Sequence, residues 1–203
     1  MAGDVEPLPA SEQLTRWRDS DADKTLGGLV EALGTGGFGV IFLILLGVPA
    51  LPLPTGGITH VFEVVAMLIA LQLIFGRRSV WIPRRWHGVS FSDRRGAKFI
   101  DGLITTTTKL ERFSKPRMRW IFGHWWSHTL YGLGVLVGAL AAFLAPPFTG
   151  LDTVPSLGVV ILSVGVIVED VAYMVAGTLL ILVAPVLEIT LGDAILRWVR
   201  GLF

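Results

Sequence analysis

Two Pro-rich turns, each set between apolar runs too short for comfortable bilayer crossing, constrain this chain more than any other feature. The first, Leu51-Pro52-Leu53-Pro54-Thr55-Gly56, lies between the apolar runs Phe38–Ala50 and Ile58–Phe75. The second, Ala145-Pro146-Pro147-Phe148-Thr149-Gly150, lies between Leu130–Leu144 and Val154–Val168. Shifting the sequence by 94 positions lays Pro52 on Pro146, Thr55 on Thr149, Gly56 on Gly150 and Thr59 on Thr153. Each half therefore reads as helix, Pro/Gly turn, helix, charges, the weak internal symmetry expected of membrane folds built from repeats. Proline fixes φ and lacks an N–H, so neither pair of runs can merge into one long helix.

Charge is both scarce and segregated. Charged residues make up 16% of the 203 residues and hydrophobic ones 52%, against roughly 25% charged in a soluble domain. No Lys or Arg occurs between Ile121 and Leu196, whereas Gly76 to Ser127 holds twelve Lys or Arg against Asp93, Asp101 and Glu111. An all-α integral membrane protein follows, with this basic segment on the cytoplasmic side and in reach of anionic lipid head groups. Nucleic acid is the weaker partner, because membrane segments flank the basic residues. The absence of cysteine excludes disulfides, thiol catalysis and thiolate metal sites. No apolar run precedes Phe38, so the membrane segments themselves would direct insertion.

The chain divides into five parts. Residues 1–34 form a cytoplasmic segment, mobile to Ser20, with a short amphipathic helix capped near Ser20 and carrying Leu26, Leu29, Val30 and Leu33. Residues 35–83 and 128–170 are the two hairpin repeats, 84–127 a basic amphipathic connector, and 171–203 a C-terminal transmembrane helix and tail interrupted at Pro185. The runs Phe38–Ala50 and Val154–Val168 are 13 and 15 residues long, where a full span takes about 20. Two geometries fit: short spans in a locally thin membrane, or re-entrant hairpins with tips inside it, related as inverted repeats. The tips, Pro52, Pro54, Thr55 and Gly56 with Pro146, Pro147, Thr149 and Gly150, then become candidate binding loops; the plainer reading is a tight turn at the far water interface.

A polar network is the other candidate. Glu63, with His60 one turn earlier, is an ionisable group in an apolar run, a functional candidate by default. Gln72 suits a contact between helices. Arg77 and Arg78 close the first repeat, where Glu169 and Asp170 close the second, so a pseudo-two-fold axis could pair them. If the chain continued as helix through Glu169-Asp170, both carboxylates would be buried; the favoured alternative is a tight turn. His124 and His128 share a helix face, but two ligands beside Trp125 and Trp126 read as an interfacial belt rather than a metal site. Gly134 and Gly138 form a small-xxx-small pair for close helix packing. No nucleophile–base pair, phosphate loop or metal set is recognisable, so neither a catalytic role nor a cofactor is assigned.

Gly37-Phe38-Gly39, Leu51-Pro52-Leu53-Pro54, Leu71-Gln72-Leu73, Gly76-Arg77-Arg78, Trp81-Ile82-Pro83 and the run Leu157–Val168 leading to Asp170 resemble the ExoD family of bacterial inner-membrane proteins. The resemblance runs from about Leu26 to Leu191. It departs at Gly36, where the family pattern has Arg, and at Val168-Glu169-Asp170-Val171, where it has Glu-Arg-Asp-Gly. It implies a role in exopolysaccharide synthesis in the inner membrane, and carries over no catalytic residue. Transport or flipping of a small solute, ion or lipid-linked precursor is the expectation, with a non-transporting scaffold of the polysaccharide machinery as the alternative. Short hairpins would gain by burying their sides against a second copy, so a homodimer is expected.

Overall fold

A computed structural model describes residues 8–33, 36–51, 59–77, 80–81, 87–113, 124–145 and 150–200. Among them are eight helices: α1 (Ala10–Asp19), α2 (Leu26–Leu33), α3 (Gly36–Gly47), α4 (Thr59–Ile74), α5 (Arg94–Phe113), α6 (Trp125–Leu144), α7 (Thr153–Ile167) and α8 (Val171–Arg200). The described residues form no strand, only one isolated antiparallel bridge between Thr25 and Ser90.

The apolar runs become α3, α4, α6 and α7, and local chemistry ends them. At the end of α4, Gly76 takes φ 81°, its N–H bonds to Leu73 O, and the N–H of Arg77 bonds to Gln72 O. This is the Schellman closure, in which a left-handed residue satisfies the last carbonyls. The end of α7 repeats it: Glu169 takes φ 52°, its N–H reaches Val166 O, and that of Asp170 reaches Gly165 O. Asp170 then caps α8, its Oδ1 accepting from Ala172 N–H at 2.9 Å. The chain thus turns between the two carboxylates' neighbours, as favoured, yet Asp170 is only 3% exposed. Helix α8 runs through Pro185.

Helices α3, α4, α6 and α7 form a four-membered ring. Its neighbours are α3–α4, α4–α6, α6–α7 and α7–α3, while α8 packs outside against α7 and α6. The directions are fixed by individual contacts. His60 at the start of α4 meets Phe143 at the end of α6, and a Cβ at Gly132 near the start of α6 would lie 3.1 Å from Ala70 O. Likewise Gly39 at the start of α3 abuts Ser163 and Ile167 at the end of α7. So α4 and α7 begin at one end, the tip end, and both hairpins point the same way. The inverted arrangement is therefore not adopted. Helix α5 packs at the opposite, base end, against Val40, Ile167 and Val168, and α6 begins at that same end, as α3 does.

Small residues allow the closest crossings. A Cβ at Gly138 would lie 2.4 Å from Val159 Cγ2, and one at Gly177 would lie 2.5 Å from Leu162 N and 2.6 Å from Gly158 O. The Gly134–Gly138 stripe of α6 thus packs on α7, and Gly158 and Gly177 set the α7–α8 crossing.

The base end is covered by α1, α2 and α5. Leu14, Trp17, Leu29, Leu33, Ile100 and Leu103 close over Val40, Ile167 and Val168. The expectation of a mobile segment to Ser20 is corrected: within it α1 is ordered, because Leu14 and Trp17, three residues apart, bury against this layer. Its polar face is tied as well, with Ser11 N–H on Glu111 Oε1 at 3.0 Å and Arg18 on Asp101 at 3.1 Å. The cap of α2 is Thr25, whose Oγ1 accepts from Gly28 N–H, rather than Ser20. In α5, capped by Asp93 Oδ1 on Gly96 N–H, Ile100, Leu103 and Thr107 are buried, while Phe99 stacks on Phe91 at 5.7 Å.

Outward apolar residues are concentrated on α4, α6 and α8: Val61, Leu68, Leu130, Leu144, Leu182 and Ile189 are each at least 57% exposed. Among the described residues, one helical stretch, Trp126–Leu144, is long and apolar enough to cross a membrane. Gly36–Gly47, Thr59–Ile74, Thr153–Ile167 and Val171–Leu187 are apolar but shorter.

Candidate functional site

The buried face of α4 carries Thr59, Glu63, Ala66, Ala70 and Leu73, the three-and-four spacing of one helical stripe. Glu63 thus occupies a core position, one turn below the start of the helix, and its residue is 0% exposed. Oε2 lies 2.7 Å from His60 Nδ1, an i, i+3 pair on one helix face. Oε1 is buried and has no hydrogen-bond partner among the described residues. The His60 side chain is 28% exposed and sets its ring edge against Phe143, centroids 5.2 Å apart. His60 therefore bridges the surface at the tip end and a carboxylate that water does not reach.

Across the ring, α7 brings a second polar pair. Asp152 precedes its first turn, and Thr59 Oγ1 lies 3.5 Å from Asp152 Oδ2. Ser156, one turn on, is fully buried with its Oγ unpartnered among the described residues. Thr59–Glu63 and Asp152–Ser156 are thus parallel i, i+4 steps descending from one point of contact. The sequence makes this convergence notable. Between Glu31 and Arg77 the only His, Asp, Glu, Lys or Arg residues are His60 and Glu63, and between His128 and Glu169 the only one is Asp152. The charge-bearing groups of these two stretches meet at one place.

Below this site the bundle is apolar, with Phe42, Leu46, Ala66, Ala70, Val135, Ala139, Val159 and Leu162 in one cluster. Towards the base end a second buried polar contact appears, Tyr131 OH donating to Ser163 Oγ at 2.9 Å. Among the described residues no three His, Cys, Asp or Glu side chains form a set suited to a metal ion.

The other sequence candidates fall elsewhere. Gln72 does not join two helices: its amide clasps the backbone of Trp81, accepting from Trp81 N–H at 2.8 Å and donating to Trp81 O at 3.3 Å. Arg77 is exposed just past the Gly76 turn, and no ion pair joins it to Glu169 or Asp170. The reason is local: Arg77 leaves α4 towards solvent, while Asp170 is turned inward to cap α8. Gly150 is exposed at φ 70°, and its carbonyl accepts from Thr153 N–H at the entry to α7. Pro52, Pro54, Thr55, Gly56, Arg78, Pro146, Pro147 and Thr149 lie outside the described residues. Sequence marks Thr59 only as the repeat match to Thr153 and does not single out Asp152 or Ser156; the one signal for the site is Asp152's isolation in a stretch otherwise free of charge.

Comparison with known proteins gives a family model described as "Exopolysaccharide synthesis, ExoD", matching residues 10–190. Protein ExoD of Rhizobium meliloti is 27% identical over 162 residues, covering 79% of this chain and 66% of that protein. Uncharacterized protein slr1875 of Synechocystis sp. is 26% identical over 153 residues, covering 75% of this chain and 71% of that protein. No solved structure matches.

Proposed function

We propose, from the premise that this chain belongs to the ExoD family, that it serves exopolysaccharide synthesis as a multi-pass protein of the bacterial inner membrane, moving a small solute, ion or lipid-linked precursor. Family membership links the chain to the process; the movement of a cargo is our reading. The observation that carries it is Glu63, fully buried at the seam of two hairpins with one oxygen that has no partner among the described residues. An ionisable group buried there costs stability. Buried ionisable groups of this kind mark pathways in membrane bundles.

The membrane placement draws on the apolar coat of α4, α6 and α8 and on the basic connector at the base end, which the positive-inside rule puts in the cytoplasm. Helices α4 and α7, of 16 and 15 residues, rise only about 22–24 Å, less than the ~30 Å hydrocarbon core. We therefore set the starts of α4 and α7 below the outer membrane surface. We also read the hairpins as a duplication about an axis along the bundle. The first helix of each packs on the second helix of the other, and α4 and α7 share one closure at their ends.

Flux in proteoliposomes tests the transport reading. Candidate ions and lipid-linked sugars would be compared between wild type and Glu63→Gln. Flux in the wild type that falls roughly tenfold or more in the variant supports it. Equal flux in both removes Glu63 from the pathway, and no flux in either leaves the non-transporting scaffold role in its place.

A further inference from the structure

We infer that Glu63 is a proton-binding group and that His60 carries the proton between it and the tip-end surface. The inference deepens the transport reading and rests on it for its purpose, since a coupling proton needs a cargo. The geometry stands by itself. One imidazole nitrogen, Nδ1, lies 2.7 Å from the buried Oε2, and the ring is partly exposed. A relay needs this: one nitrogen towards a sequestered base and a ring that water can reach.

The step balances simply. With the neutral ring protonated on Nδ1, Nε2 takes a proton from a hydronium ion, which becomes water. Nδ1 gives its own proton to Oε2, and the carboxylate becomes a carboxylic acid. The imidazole ends neutral with its proton on Nε2, and a ring flip or the reverse transfer resets it. Protonation removes a charge from an apolar interior and gives the carboxyl a hydrogen to share.

The surroundings contain few competitors. On α4 itself, His60 is the only other titratable group. Across the ring, Asp152 places a like charge in electrostatic range of Glu63. Helix α3 has no titratable side chain, and those of α6, namely His128 and Tyr131, lie in its base-end half. The neutral hydroxyls of Thr59 and Ser156 complete the site. Two acidic groups and one imidazole, with no Lys or Arg on the ring helices, make a place where one added proton relieves repulsion.

Infrared difference spectroscopy on the purified full chain in nanodiscs tests the proposal without any cargo. After a pH jump, the wild type should show a carboxylic C=O band that titrates. It should vanish in Glu63→Gln and persist in Asp152→Asn. In His60→Asn the band should remain but equilibrate roughly a hundredfold more slowly, as expected when a positioned proton carrier is lost. A band unchanged by Glu63→Gln, or no titrating band at all, overturns the assignment of Glu63; unchanged kinetics in His60→Asn overturn the relay. Should Glu63→Gln fail to fold, Glu63→Asp must shift the band, and an unshifted band has the same negative meaning. A titrating Glu63 band without pH-dependent flux in proteoliposomes would sink the transport reading while leaving the proton site intact.

Discussion

Glu63 leaves Oε1 without a partner among the described residues, in a place that solvent does not reach. A buried unsatisfied polar group costs about 1–3 kcal/mol, so Glu63→Leu, which fills similar space without the polar atoms, should stabilise the protein by about that amount. Thermal denaturation in detergent would register this as a raised midpoint, alongside loss of any flux. A midpoint that falls instead would mean the carboxylate is satisfied and structural. Tyr131 gives the contrast. Its hydroxyl and Ser163 Oγ satisfy one another in the core, so Tyr131→Phe should destabilise by about 1–2 kcal/mol. With Ser163→Ala the loss should be less than additive, because both changes remove the same bond. Additive losses in the double-mutant cycle would show that the two hydroxyls do not depend on each other.

At the scale of elements, the glycines of α7 and α8 set how closely the bundle closes. A Cβ at Gly177 would collide with backbone atoms of Leu162 and Gly158, whereas one at Gly102 in α5 meets nothing within 4 Å. Gly177→Ala should therefore destabilise by about 1–3 kcal/mol, while Gly102→Ala should stabilise by about 0.5–1 kcal/mol through helix propensity. Denaturant titration of the two variants side by side checks the sign as well as the size. The hairpin helices were legible in the sequence because apolar runs bounded by Pro and Gly mark their ends within a few residues. Helix α1 was not, since Leu14 and Trp17 are its only buried residues and their value depends on α2 and α5 being there to cover them. Glu63 was visible as a lone carboxylate in an apolar run. Asp152 was not, because an Asp just ahead of a helix is an ordinary start signal, and its meeting with Thr59 spans 93 residues of chain. Gln72 misled for a related reason: a polar residue near a helix end can serve the returning loop as readily as a neighbouring helix.

For the whole molecule, the shared direction of the two hairpins is the most testable property. With no native cysteine, single cysteines at Gly47 and Gly150 should react with a membrane-impermeant thiol reagent from the same side of a sealed vesicle. A cysteine at Arg95, in the basic layer, should react only from the other side. Labelling of Gly47 and Gly150 from opposite sides would contradict the parallel arrangement. The apolar layer between Glu63 and the Tyr131–Ser163 pair then acquires an electrical meaning. In an energised bilayer the voltage falls mainly across the driest section of a protein, so in the membrane placement proposed above Glu63 would sit at nearly the potential of the outer solution. Loading it through His60 would be almost indifferent to voltage, whereas passing the same charge inward across Ala66, Val135 and Val159 would tap about 2.3 kcal/mol per 100 mV.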